Sequence, residues 1–335
     1  MTTRSAEGPA ADRLSDSWLR WVAENLARGA EEDELAGVLA ARGLDAEAAR
    51  ELIAEIAAQP AMAAARGLAG TVDKLEKQLD EHDALQALLD PAGEVRRVKD
   101  IEPDDFVERF YAANRPVVLS GLIGDWPALE RWTPEYLRER FGEQTVDVET
   151  GRKSEPIWQV LLKANRQPWR FADYIDAVMA AGETNGFYMT AADGLLSRPG
   201  MASLLDDIRM PRGFLDPAQL DGNAQFWFGP AGTVSPLHRD EVNVFLCQVR
   251  GRKRIRFVAS SQLHRVYNRR SFYSEVNAER PDLERFPRFA GLRVLEAVVG
   301  PGDVAFIPVG WWHHVRALDV SISVTMTNFE FPNPY

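Results

Sequence analysis

The residue pattern of this chain changes abruptly near Asp90-Pro91, so no single architecture suits the whole of it. Up to about residue 90, Ala, Leu, Glu and Arg dominate and β-branched residues are few. Such a composition favours helix, because unbranched side chains lose little rotamer freedom there. Ser15 stands as an N-cap before Trp18, Leu19, Val22 and Leu26, and Gly29 closes that segment. A second helix runs from about Glu31 to near Gly43, and Asp45 opens a third, AEAARELIAEIAAQ, which halts before Pro60. Together they predict a small bundle. Beyond them Leu68, Val72, Leu75 and Leu79 recur at helical spacing and make one apolar stripe. That stripe suits packing on the body or heptad-like pairing, so a homodimer through the N-terminal helices is one expectation.

After Asp90-Pro91, Pro, Trp, Phe and Val become frequent and β-like runs begin, which predicts a helical region over 1–92 and a second domain over 93–335. RPVVLSGLIGDWPALERW (115–132) reads as a buried strand, a turn and a helix entry. NVFLCQV, KRIRFVA, VAFIP and SISVTMTNF read as strands. Short strands joined by Gly and Pro turns predict an antiparallel barrel or sandwich, with helices near 133–141 and 171–181 on its outside.

Composition narrows the functional classes. Cys247, the single cysteine, excludes an internal disulfide and a Cys-rich metal site, and within VFLCQV it reads as a buried small hydrophobe. A formal charge of −11 argues against nucleic acid as a partner, because such binding relies on Lys and Arg; a basic peptide fits better. The opening residues MTTRSAEGPAADR lack the apolar run of a signal peptide, and no stretch approaches the roughly 18 apolar residues of a membrane span. The expectation is a cytoplasmic protein with no membrane association.

With five histidines in the chain, a metal site built on imidazole has few ways to form. His238 and Asp240 lie in SPLHRDE, and residues two apart on a strand share a face, so both can reach one ion while Arg239 points away. A third ligand comes from His313 or His314, adjacent in VAFIPVGWWHHV, and only one of two neighbouring strand residues can enter the site. Two histidines and one carboxylate with open positions are the arrangement of non-haem iron(II) oxygenases.

Several segments together resemble the Jumonji C oxygenases, in particular the cupin-like branch containing the factor-inhibiting-HIF asparaginyl hydroxylase. They are RPVVLSGLIGDWPALERW, GFYMT, GTVSPLHRDEVNVFLCQVRGRKRIRF, RPDLERFPRF and GPGDVAFIPVGWWHHV followed by SVTMTNF, spanning about 95–335. The resemblance implies a double-stranded β-helix and a metal site of His238, Asp240 and His313, leaving His314 outside it. It also implies iron(II) as cofactor with 2-oxoglutarate and O2 as cosubstrates. Lys253, after the turn in QVRGRK, matches the family lysine that pairs with the distal carboxylate of 2-oxoglutarate; by itself it reads as one solvated cation in RGRKRIR. Ser235 matches a family hydroxyl, usually threonine, beside the same carboxylate, and Tyr188 its tyrosine partner. Where those relatives carry Asn four residues after the Asp, this chain has Val244, with Asn243 one place earlier, so Asn328 becomes the candidate near the keto-acid end. A straight strand from Asp240 to Gln248 would span roughly 26 Å. The chain must therefore bend near Glu241–Asn243 to bring Lys253 back to the metal.

The implied activity is hydroxylation of a side chain of a peptide or protein, coupled to decarboxylation of 2-oxoglutarate to succinate. Lysyl demethylation and small-molecule hydroxylation use the same oxidant. A non-catalytic cupin sensor and a manganese or zinc cupin enzyme are rivals from outside that chemistry; the intact triad with Lys253 argues against the first, and an open pocket beside Lys253 would have no purpose in the second.

Overall fold

The computed structural model describes residues 15–89, 92–152, 165–191, 194–268 and 272–333. Internal packing separates two units, Met1–His82 and Asp83–Tyr335. The boundary expected at Asp90-Pro91 lies outside the described residues.

In the first unit, α1 (Asp16–Ala27), α2 (Glu32–Ala41) and α3 (Ala46–Ala57) form the expected bundle around Val22, Leu26, Leu35, Leu39, Ile53 and Met62. The Asp45 carboxylate caps α3 by accepting from the Glu47 and Ala48 amides at 3.0 and 3.1 Å. Ser15 does not cap α1; its hydroxyl pairs with that of Ser17 instead. A fourth helix, α4 (Pro60–Ala87), carries Leu68, Val72 and Leu75 exposed.

Among the described residues the second unit holds three sheets. One contains β1 (Arg97–Lys99), β2 (Val117–Ser120), β6 (Ala224–Gly229), β8 (Val244–Arg250), β11 (Asp303–Ile307) and β13 (Ser321–Met326), in the order β1-β2-β11-β8-β13-β6. The second contains β7 (Val234–Arg239), β9 (Lys253–Val258), β10 (Val294–Val299) and β12 (Trp312–Ala317), in the order β10-β9-β12-β7. A small third sheet joins β3 (Thr145–Thr150), β4 (Arg166–Arg170) and β5 (Phe187–Tyr188). Apart from the parallel pair β1 and β2, the strands pair antiparallel. From β6 to β13 the chain crosses between the first two sheets at nearly every step. This is the double-stranded β-helix, a cupin-type jelly roll.

The two-residue side-chain period explains why these sequences build it. Along β9, Ile255 and Phe257 enter the core while Arg254 and Arg256 stay on the other face, where they pair with Glu279 and Glu296. Cys247 is buried on β8 as expected, and burial pushes its thiol pKa upward. The expected helices occur at Pro134–Phe141, capped by Thr133, and Phe171–Ala180. Among the described residues no helix is long and apolar enough to cross a membrane.

Candidate active site

Three strands of the second sheet carry the key side chains, His238 on β7, His313 on β12 and Lys253 on β9. His313 pairs directly opposite His238. Cross-strand partners project to one face, and the two imidazole centroids stand 4.1 Å apart. Asp240 follows immediately after β7, its carboxylate 4.0 Å from His238 Nε2 and 3.6 Å from His313 Nε2. Cis ligands of an octahedral ion with bonds of about 2.1 Å stand about 3 Å apart, so these donors are close to a metal-binding arrangement.

Each histidine is held by a backbone carbonyl two residues earlier. His238 Nδ1 meets the Pro236 oxygen at 2.7 Å, and His313 Nδ1 meets the Trp311 oxygen at 3.2 Å. A carbonyl only accepts, so Nδ1 carries the proton in both and Nε2 keeps its lone pair for a cation. Burial, then the neighbouring His238, lowers the His313 pKa to about 4, which keeps that ring neutral at pH 7. His314 faces the opposite side beside Arg254, Arg256 and Arg316, where burial foremost lowers its pKa to about 3. His313, not His314, joins the donor cluster with His238 and Asp240.

β7 solves a parity problem. Ser235 and His238 are three residues apart and would face opposite ways on a regular strand, yet both line one chamber. The register slips here: Val315 pairs with Ser235 rather than with residue 236, which leaves an extra residue on β7. Pro236 occupies the irregular stretch, and having no N–H it cannot supply a ladder bond. The bulge thus brings Ser235 onto the histidine side and turns the Pro236 carbonyl toward His238.

The chamber measures about 350 Å³ and joins the donor cluster to Lys253. Lys253 takes the inward position on β9 and is only 2% exposed, so it is not one of the solvated cations of RGRKRIR. Its ammonium donates to Ser323 Oγ at 2.6 Å and Tyr188 Oη at 3.3 Å, and lies about 6 Å from the Tyr188 and Trp227 rings. Burial lowers its pKa to about 7, as expected for a cation with no carboxylate beside it among the described residues. Gly251, at φ +65°, makes the preceding turn, where any Cβ would lie 2.2 Å from the Val320 carbonyl oxygen. The Gln248 amide braces that turn by donating to the Arg250 and Gly251 carbonyls. The expected bend between β7 and β8 is present at residues 240–243.

Asn328 is not where the resemblance placed it. Along and just beyond β13, Thr325 and Thr327 line the chamber and Ser323 holds Lys253, whereas Val324, Met326 and Asn328 alternate to the other face. The Asn328 amide donates to the Asp216 carbonyl at 2.8 Å. Asn243 is also structural: its side-chain oxygen accepts from the Val309 amide at 2.8 Å. Val242, Val244, Leu246, Ile307 and Val315 instead give the chamber an apolar wall.

Sequence reasoning missed several lining groups. Ser323, Thr325 and Thr327 were legible as alternating hydroxyls in SISVTMTNF. Glu149 and Arg152 form a buried ion pair on the chamber wall, with Thr190 donating to Glu149 at 2.7 Å and Arg152 donating to the Val234 carbonyl at 2.6 Å. Tyr273 lies against His238 from a loop without a motif. Burial, followed by the charges of Glu149 and Asp240, raises its phenol pKa.

A family model described as a cupin-like domain matches residues 103–331. The chain belongs to the cupin-like domain family. This cupin-like chain is 37% identical over 232 residues to lysine-specific demethylase 8 of Xenopus tropicalis, covering 66% of this chain and 50% of that protein. Lysine-specific demethylase 8 of Danio rerio is 36% identical over 258 residues, covering 73% and 61% respectively. Lysine-specific demethylase JMJ30 of Arabidopsis thaliana is 30% identical over 235 residues, covering 66% and 52%. The chain thus spans about half to three-fifths of the length of these relatives. The matches support the Jumonji C family, whose oxygenases use iron(II), 2-oxoglutarate and O2, and not the asparaginyl-hydroxylase branch suggested by the motifs. In this cupin-like domain, His238, Asp240 and His313 could hold the iron.

Proposed function

We propose that this chain is an iron(II)- and 2-oxoglutarate-dependent dioxygenase that hydroxylates a side chain of a peptide or protein. The observation that carries this reading is one chamber with a two-histidine, one-carboxylate cluster and a buried lysine that has no carboxylate partner among the described residues. A metal-binding sensor has no use for that lysine. A dicarboxylate with one end at the metal and the other at Lys253 uses both features.

When bound, iron(II) supplies the activation of O2 that couples oxidation of 2-oxoglutarate, to succinate and CO2, with oxidation of a substrate C–H bond. The chain's own residues do the rest. His238, Asp240 and His313 would hold the metal through two imidazole nitrogens and one carboxylate. Lys253, with Tyr188 and Ser323 beside it and Ser235 on the wall of the same chamber, supplies charge and hydroxyls for the distal carboxylate. The apolar wall of Val244, Leu246, Ile307 and Val315 limits water at the reacting centre.

The relatives' names favour a second reading, removal of a methyl group from lysine, which begins with hydroxylation of the N-methyl carbon. Incubating candidate peptides with the protein, iron(II), 2-oxoglutarate and O2, then measuring peptide mass, tests both. Hydroxylation adds one oxygen, whereas demethylation removes one CH2 and releases formaldehyde. Absence of succinate formation, with and without peptide, would overturn the oxygenase reading itself.

A further inference from the structure

Tyr273 belongs to no strand, yet its position is fixed. It forms an isolated antiparallel bridge with His238, flanked by the Arg239 amide donating to the Phe272 carbonyl at 3.1 Å and the Ser274 amide donating to the Leu237 carbonyl at 2.8 Å. Ser274 is pinned in turn: its hydroxyl donates to the Val266 carbonyl and accepts from the Val276 amide. A strand has two edges. β12 takes one edge of β7, so Phe272–Ser274 lie along the other.

His313, His238 and Tyr273 are therefore three successive cross-strand neighbours, and side chains in such a row share a face. On one side the His238 ring meets His313, with centroids at 4.1 Å and planes at 52°. On the other it meets Tyr273, with centroids at 5.6 Å and planes at 28°. The Pro236 carbonyl fixes the rotation of the His238 ring through Nδ1, but a single hydrogen bond leaves the ring free to tilt about that contact. Two flat neighbours remove that freedom.

We propose that Tyr273 is a positioning residue for the metal ligand His238, acting through the face of its ring rather than through its hydroxyl. Among the described residues the Tyr273 hydroxyl makes no hydrogen bond, while the ring is stacked and the backbone is locked on both sides. The ring also lines the chamber, so it screens His238 from water on the side away from His313. The inference rests on the reading of His238, Asp240 and His313 as metal ligands.

The test is Mn(II) titration of the full chain, following free Mn(II) by electron paramagnetic resonance. Partners that orient a ligating histidine are worth about 10- to 100-fold in metal affinity, so Tyr273→Ala should raise the Mn(II) dissociation constant by roughly 10-fold. Tyr273→Phe keeps the ring and should stay within about twofold of the parent, since an unpartnered hydroxyl contributes little. The thermal midpoint of the metal-free Tyr273→Ala protein should stay close to the parent's, because this partly buried residue lies outside the hydrophobic clusters. Should that variant fail to fold, Tyr273→Leu, which fills space without a flat face, takes its place with the same expected loss. Parent-like affinity in Tyr273→Ala, or an equal loss in Tyr273→Phe, overturns the proposal. His238→Ala separates the two readings: if it too binds Mn(II) like the parent, the metal triad itself is wrong.

Discussion

The two ends of the chamber are built by different physics. At the donor end, His238 and His313 are adjacent across one strand pair, Asp240 follows two residues after His238, and backbone carbonyls set both imidazoles. At the anchor end, Lys253 on β9, Tyr188 on β5 and Ser323 on β13 come from three different sheets and meet only through side chains. The donor end is a local motif completed by one cross-strand partner, whereas the anchor end exists only once the barrel closes. Damage at the first should therefore remove chemistry, and damage at the second should weaken binding by degrees.

The largest effect is expected at the donor end. His238→Ala or Asp240→Ala should abolish succinate formation while shifting the thermal midpoint of the metal-free protein little, since both lie outside the hydrophobic clusters. Either variant retaining turnover would break the comparison there. Next comes Lys253→Ala, expected to weaken 2-oxoglutarate binding by roughly 2–5 kcal/mol, the scale for removing one partner of a buried charge pair. Calorimetry with Mn(II) in place of iron reads that loss, and the Mn(II) affinity itself should not change.

The anchor should also carry a pH signature. Burial lowers the Lys253 pKa to about 7, and a bound carboxylate favours the charged form. Above pH 7 the empty site must take up a proton to bind, so 2-oxoglutarate affinity should fall as pH rises, with a limiting slope of about tenfold per unit. Calorimetry in buffers of different ionisation enthalpy measures that uptake, and the proton term should vanish in Lys253→Ala. A pH-independent affinity above 7 would show that the lysine is already charged in the empty chamber.

Smaller effects sharpen the picture of β13. Ser323→Ala should cost about 1 kcal/mol of 2-oxoglutarate affinity, the value of one hydrogen bond. Asn328→Ala, on the opposite face, should leave that affinity unchanged and lower stability by about 1 kcal/mol, because the Asp216 carbonyl loses the Asn328 amide but keeps the Gln219 backbone amide. A large affinity loss in Asn328→Ala would return that residue to the cosubstrate.

The sequence determined what depends on local order. The helix ends at Gly29, Gly43 and Asp45, the strands around NVFLCQV and KRIRFVA, and the shared approach of His238 and Asp240 to one ion all follow from residue type and spacing. Tertiary structure decided what depends on which faces meet. Strict alternation alone would turn Ser235 away from His238, and only the irregular pairing at Pro236 brings them together. Resemblance placed Asn328 at the cosubstrate, but it shares a face with Met326, and the hydroxyls of Ser323, Thr325 and Thr327 take the inner side. Tyr273 and the Glu149–Arg152 pair carry no signal in sequence, because a loop residue gains its role only from the strand it lands on. Spacing along a chain fixes the face a side chain takes on its own strand; register between strands, set by closure of the whole barrel, fixes what that face meets.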